Sequence, residues 1–412
     1  MRTFKIALPL SLALTASLAA HAGGYAIPAE NAREIGLSQA TVAAQTGPEA
    51  VYQNSSALAG QEGLAVSASL EMLYNITTWT GTDTFPGSAT LKPKANFPPQ
   101  IAVSYGNKLP NGMPFGVGAG LLIPGGGSLL WPTNWVGSQR IQDVTQRVYL
   151  LQAGGALEPI DGVKIGATIL YYRAQETLSQ NLNYLDHLGL AKLGLAGGAV
   201  SFGVSGEFHI PTIPLVIGVD YRHKGDMTLT GDAHFEQVPP NLASALQDQG
   251  VTERVTAPNE LFIGASYKVQ PDITVMGSYS LERWIVYQSD TFVGDKGFTV
   301  SVPRNYKNAY VFRIGAEWTH TPFLPALTLR LGALRSVSPQ PTDTVSPSLT
   351  DGNSTAISVG AGYDLTKNLR LDVGYQFAFF DTVTASGIEA FPGSYDTHVH
   401  IVSGGITWRS GL

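Results

Sequence analysis

The 412-residue chain contains no cysteine, which excludes disulfides and thiolate metal sites. Charge is scarce: Asp, Glu, Lys and Arg make up 14% of the residues, against roughly 25% in soluble domains. The small net charge of −6 supplies no basic surface for nucleic acid. Past the N-terminus, no segment approaches the roughly 18 consecutive apolar residues of a membrane-spanning helix. Catalytic signatures are missing as well. There is no G-x-S-x-G elbow and no HExxH pair. The "GVGAG" at 116–120 lacks the third glycine of a phosphate loop and sits in a strand-like run. His398 and His400 share one strand parity without a further ligand and read as two lumen histidines. The N-x-[ST] triplets at Asn54, Asn75 and Asn353 read as chance. No enzyme, metal or cofactor is expected.

What is present starts at the N-terminus. "MRTFKIALPLSLALTASLAAHA" has Arg2 and Lys5, a short apolar core, and Ala20-His21-Ala22. That is the pattern of a secretory signal peptide over 1–22, cleaved after Ala22 to leave Gly23 first. The chain is therefore expected to be exported without helical anchors.

The body of the sequence alternates. In "NLRLDVGYQFAFF" (368–380), Leu369, Leu371, Val373, Tyr375, Phe377 and Phe379 share one parity, and Arg370, Asp372, Gly374, Gln376 and Ala378 the other. A strand with that pattern has one apolar face and one polar face. Similar runs give about fourteen segments of roughly ten residues, the length of a tilted membrane strand. They are 64–74, 98–109, 114–123, 147–158, 163–174, 198–209, 214–224, 259–270, 273–283, 308–319, 326–337, 354–365, 368–379 and 396–408. Gaps between them alternate short and long, as periplasmic turns and extracellular loops do in an outer-membrane barrel. Tyr74, Tyr105, Tyr221, Tyr267, Trp284, Trp318 and Trp408 lie at strand ends, where interfacial girdles sit. The fold class expected is all-β: a transmembrane antiparallel barrel over 64–412, closed by an even strand number so that no edge meets lipid.

Residues 23–63 do not alternate. "PAENAREIGLSQATVAAQTGP" reads as a weak helix between Pro28 and Gly47-Pro48. Tyr25, Ile27, Ile35 and Val42 call for burial, and a barrel of this size would otherwise hold an open channel. The segment is therefore expected to plug the lumen. The long gap 175–197 carries Leu182, Leu185 and Leu188. The gap 225–258 carries Leu242 and Leu246 on a short helix within "PPNLASALQDQG". Apolar loops at a barrel mouth suit an apolar ligand or mutual packing. In the third segment, glycines at 116, 118 and 120 precede Pro124, a composition that weakens or bends a ladder.

Several stretches resemble the FadL family of outer-membrane transporters. They are "APNELFIGASYKVQPDITVMGSYSLERW", "NYKNAYVFRIGAEW" and "LTLRLGALRSVSPQPTDTVSPSLTDGNSTAISVGAGY". The resemblance implies a fourteen-stranded barrel with an N-terminal hatch that includes Gly23, Tyr25, Ile27 and Asn54. It implies passive uptake of hydrophobic molecules, foremost long-chain fatty acids, with neutral aromatic hydrocarbons as the alternative and a general diffusion porin as a weaker one. Ligand would be caught by Leu182, Leu185, Leu188, Leu242 and Leu246. Its carboxylate would meet Arg173 and Lys307, and it would leave through a lateral opening where the strand of Gly116, Gly118, Gly120 and Pro124 kinks. The partners implied are outer-membrane lipid and the hydrophobic ligand, with the chain acting as a monomer. The family's Asn-Pro-Ala hatch signature departs here to Asn54-Ser55-Ser56-Ala57-Leu58.

Overall fold

The structure is a computed structural model that describes residues 31–410 other than 185–187, 298 and 388–389. The signal peptide expected over 1–22, Gly23, Tyr25, Ile27 and Leu185 lie outside the described residues. Fourteen antiparallel strands close into a barrel. In chain order they are β1 (Gly63–Thr82), β2 (Pro99–Lys108), β3 (Pro114–Leu130), β4 (Asp143–Ile160), β5 (Val163–Asn183), β6 (Leu188–His209) and β7 (Leu215–Arg222). They continue as β8 (Glu260–Gln270), β9 (Ile273–Glu282), β10 (Ala309–Trp318), β11 (Leu327–Val337), β12 (Ser354–Asp364), β13 (Leu369–Phe380) and β14 (Ser394–Arg409). Each pairs with the next, and β14 returns to β1 from Ala65↔Arg409 to Thr80↔Ser394.

The alternation resolves as a lipid-facing and a lumen-facing set. On β13, Leu371, Val373, Tyr375 and Phe379 are exposed on the outer wall, whereas Asp372, Gln376 and Ala378 are buried inside. Tyr105, Tyr267 and Trp408 are exposed as a girdle requires. Trp284 is not part of it. It is buried inside, where its indole N–H donates to Glu282 Oε2 at 3.0 Å. His398 and His400 also depart from expectation. They lie on the outer parity, His398 against Asp396 at 3.0 Å and His400 against the Tyr375 hydroxyl at 3.0 Å. Their inward neighbours are Thr397, Val399 and Ile401.

Two expected loops are largely strand. The 175–197 region continues the β5–β6 hairpin from Arg173↔Gly198 to Asn183↔Leu188. Within 225–258, strands Gly225–Glu236 and Gln249–Ala257 pair together, and the first adds to the upper part of β6. The helix expected in "PPNLASALQDQG" is a set of turns, closed by Leu246 N–H donating to Leu242 O at 3.0 Å. Tandem prolines and a segment this short leave too few hydrogen bonds to repay helix nucleation.

The N-terminal segment fills the lumen. It holds α1 (Ala32–Gly36), α2 (Ala50–Gln53) and a 3₁₀ turn over Ser55–Gly60. Asn31 caps α1 by accepting from Glu34 N–H at 3.0 Å. The helix stops early because Ser38 and Gln39 take left-handed φ of 49° and 60°. Ile35, Leu37, Val42, Val51 and Leu58 are buried. Glycines in the wall allow the plug backbone to come this close. A Cβ at Gly116 would stand 2.0 Å from the Leu58 carbonyl oxygen, and one at Gly374 would stand 2.4 Å from that of Ala32. The glycine stretch of β3 thus serves plug packing, and the bend lies further along.

Gly374→Val should therefore dislodge or strain the plug, whereas Gly404→Ala, whose Cβ would meet open space, should not. Ion conductance in planar bilayers, rising only for the first variant, checks this.

Candidate functional site

The break in the barrel's regularity lies on β3. Its ladder to β2 ends at Ile101↔Leu121. Its ladder to β4 skips a step between Leu122 and Gly125, leaving Ile123 and Pro124 as a bulge. Pro124 has no N–H to give, and Gly126 sits at a φ of 139° open to glycine. Alternation then fails. Leu122 and Ile123 are consecutive yet both buried, Ile123 in a cluster with Leu73, Val399 and Ile401. Burial then runs without alternation from Gly125 to Leu129, so upper β3 is covered on both faces. Among the described residues, the next backbone bond on its β2 side is Lys92 N–H donating to Leu130 O at 2.7 Å.

Behind this bulge is a cavity of about 50 Å³. Pro124, Gly125, Val148, Leu150, Tyr172, Met227, Ala257, Pro258 and Trp284 line it, with Tyr52 from the plug and Arg222 and Glu260 from β7 and β8. Arg222 is buried and paired with two carboxylates. Its Nε meets Asp220 Oδ2 at 3.2 Å and its Nη1 meets Glu260 Oε2 at 3.1 Å. Its Nη2 donates to the Tyr52 carbonyl at 2.7 Å, and its guanidinium lies 3.9 Å from the Tyr52 ring centroid. The barrel wall and plug thus meet at one neutralised cation.

Above the cavity, an apolar cluster fills the end of the barrel that bears the long connections. Leu178, Leu182, Leu193, Leu229, Leu246 and Phe292 belong to it, with Leu242 packed alongside. Trp131 and Trp135 stack at 4.4 Å, and Trp79 reaches Phe391 at 5.4 Å.

The residues expected at the site divide. Leu182, Leu242 and Leu246 converge on this cluster, whereas Leu188 is half exposed on the other face of β6. Arg173 does not enter the lumen. It lies on the exposed outer parity with Tyr171, while Tyr172 and Ala174 point inward. Lys307 is exposed as well, and its backbone N–H donates to Pro339 O at 2.8 Å. Asn54 is fully buried. It caps the 3₁₀ turn by accepting from Ser56 N–H at 3.2 Å and donates to the Val42 carbonyl at 2.7 Å. Ser55 adds a bond to Ser205 at 2.8 Å, so hydroxyls fix the turn where the family signature has proline. Arg222 was legible by parity: Asp220 and Arg222 alternate with Leu215, Ile217, Val219 and Tyr221 and must face inward.

A family model described as "Outer membrane protein transport protein (OMPP1/FadL/TodX)" matches residues 13–408. The chain belongs to the OMPP1/FadL/TodX family. It is an outer-membrane transporter of hydrophobic compounds, of the Gram-negative type, and the family's members are transporters and channels. Solved structures agree in fold. A Pseudomonas aeruginosa FadL homologue superposes with a TM-score of 0.83 at 16% identity, covering 94% of this chain and 99% of that one. The Ralstonia pickettii toluene transporter TbuX gives 0.68 at 18% identity, covering 91% and 98%. The Pseudomonas putida toluene transporter TodX gives 0.67 at 16% identity, covering 92% and 98%. Comparison with curated protein sequences gives no match.

In this FadL/TodX-family chain, the plug is also tied at the short-turn end of the barrel. Arg33 Nη2 meets Glu317 Oε1 at 2.9 Å, and Glu317 holds Arg330 at 2.7 Å. Arg330 holds Asp372 at 2.6 Å, and Asp372 meets Arg370 at 3.2 Å. Burial pushes the neighbouring Glu34 carboxyl above its ordinary range, against the pull of Arg33 and the Thr41 hydroxyl. Removing one partner from such a buried network leaves uncompensated charge, at a cost of about 3–5 kcal/mol. Glu317→Ala should accordingly lower barrel stability by that order and expose residues 31–62 to protease in the folded protein. Limited proteolysis beside the heat-dependent shift in gel mobility measures both.

Proposed function

We propose that this barrel admits compact, uncharged hydrophobic molecules of the monoaromatic hydrocarbon class. One observation carries the reading: the cation lining the cavity, Arg222, already holds two carboxylates, Asp220 and Glu260. A cargo carboxylate would arrive where the positive charge is spent, and burying a carboxylate without a free partner is costly. A neutral ring pays no such cost and gains from leaving water. The toluene transporters among the structural neighbours fit this class.

The route proposed starts at the apolar mouth of Leu182, Leu242 and Leu246, passes the cavity at the plug, and ends at the β3 bulge of Pro124. One chain supplies mouth, plug and opening, which supports action as a monomer. The cavity is contracted. About 50 Å³ falls short of the roughly 150 Å³ that holds benzene in an engineered protein core. A wall must therefore move, and Tyr52 is the lining residue carried by the plug.

Fatty-acid uptake is the second reading, and one contact favours it. Glu260 is the more exposed of the two carboxylates on Arg222, 21% against 6% for Asp220. An incoming carboxylate that displaced it would inherit the guanidinium.

Binding of toluene and oleate to the detergent-folded barrel separates the readings. Toluene should bind, and Tyr52→Ala should raise its uptake into proteoliposomes several-fold by widening the cavity. Tighter binding of oleate, lost in Arg222→Gln, would overturn the neutral-cargo reading in favour of the second.

A further inference from the structure

The cavity holds a polar group that none of its ion pairs uses. Tyr172 lies on the inward parity of β5, 7% exposed, and its side chain lines the cavity beside Arg222 and Glu260. Its ring lies close against Gly225: a Cβ there would stand 3.0 Å from Tyr172 Cδ2. Among the described residues, its hydroxyl has no hydrogen-bond partner. The hydroxyl oxygen is not fully enclosed and faces the open space of the cavity, where a ligand would supply the partner that buried tyrosine hydroxyls ordinarily find. Arg222 is committed: it pairs with Asp220 and Glu260 and donates an N–H to the Tyr52 carbonyl. Apart from Tyr52 on the plug side, the remaining lining, from Pro124 and Val148 to Met227 and Trp284, is apolar. A hydroxyl on the wall of a largely apolar cavity, beside a cation that is already paired, suits a cargo of matching shape: an apolar body carrying one uncharged oxygen.

We infer that Tyr172 is a specificity-determining residue, whose hydroxyl meets a single hydroxyl or carbonyl oxygen on a compact hydrophobic cargo. The inference rests on the neutral-cargo reading and narrows it from bare hydrocarbons to their mono-oxygenated relatives. Such an oxygen needs no counter-charge, and the bond it makes replaces one it had in water. Its net worth is therefore modest, of the order of 1 kcal/mol or about fivefold in affinity.

The test compares p-cresol with toluene on the purified, detergent-folded full-length barrel, wild type and Tyr172→Phe. The phenylalanine keeps the ring and removes only the oxygen, and toluene binding by the same variant reports whether the cavity survives. The expected result is about fivefold weaker p-cresol binding in Tyr172→Phe, with toluene unchanged. Equal effects on both probes, or none on either, would overturn the inference and leave the neutral-cargo reading standing. If wild type binds neither probe but binds oleate, the neutral-cargo reading fails and this inference falls with it.

Discussion

The ladder between the first and last strands is the interaction on which the rest depends. In hydrocarbon, an amide or carbonyl without a partner costs several kcal/mol, and no water is present to relieve it. Pairing β1 to β14 from Ala65↔Arg409 to Thr80↔Ser394 removes the sheet's two edges together. Closure then imposes a strict choice on each residue, lipid or lumen, because side chains alternate along a strand. It also creates a lumen. The plug fills it by laying backbone against backbone, which the wall permits where it carries glycine, as at Gly116 and Gly374.

Charge follows from the same closure. Inside a narrow, plugged lumen, a cation is far from bulk water and is stable only if neutralised locally. The two buried networks meet that need in the same way. Glu317 stands between Arg33 of the plug and Arg330 of the wall, and Arg222 stands between two wall carboxylates and the plug residue Tyr52. Each network therefore does two things: it satisfies the charge and it joins plug to barrel. The second network borders the cavity, so the electrostatics that hold the plug also set what a cargo finds there. The β3 bulge beside it is where the wall's own regularity is given up.

Much of the architecture could be read before the structure was known, because period-2 alternation is a local property of a strand between lipid and lumen. The errors came from departures from that rule. Arg173 shares the parity of the lipid-facing Ile169 and Tyr171, and on that ground alone belongs outside; Arg222 shares the parity of Asp220 and belongs inside. His398 and His400 reverse the same way against the buried Val399 and Ile401. The leucines of 175–197 suggested a loop because the hairpin runs past the expected span of a membrane strand. Asn54 and its neighbouring serines were legible as plug residues, but their hydrogen bonds to Val42 and Ser205 were not.

By itself, then, the sequence determined the barrel, the plug, the family resemblance and the inward or outward sense of most strand residues. These follow from hydropathy and spacing along the chain, which the bilayer converts directly into position. The tertiary structure alone decided the depth of the β3 bend, the partners of Arg222 and the meeting of Tyr52, Tyr172 and Glu260 around one cavity. Those residues are far apart in sequence and come together only when the ring closes on its plug, so no local pattern records their contact.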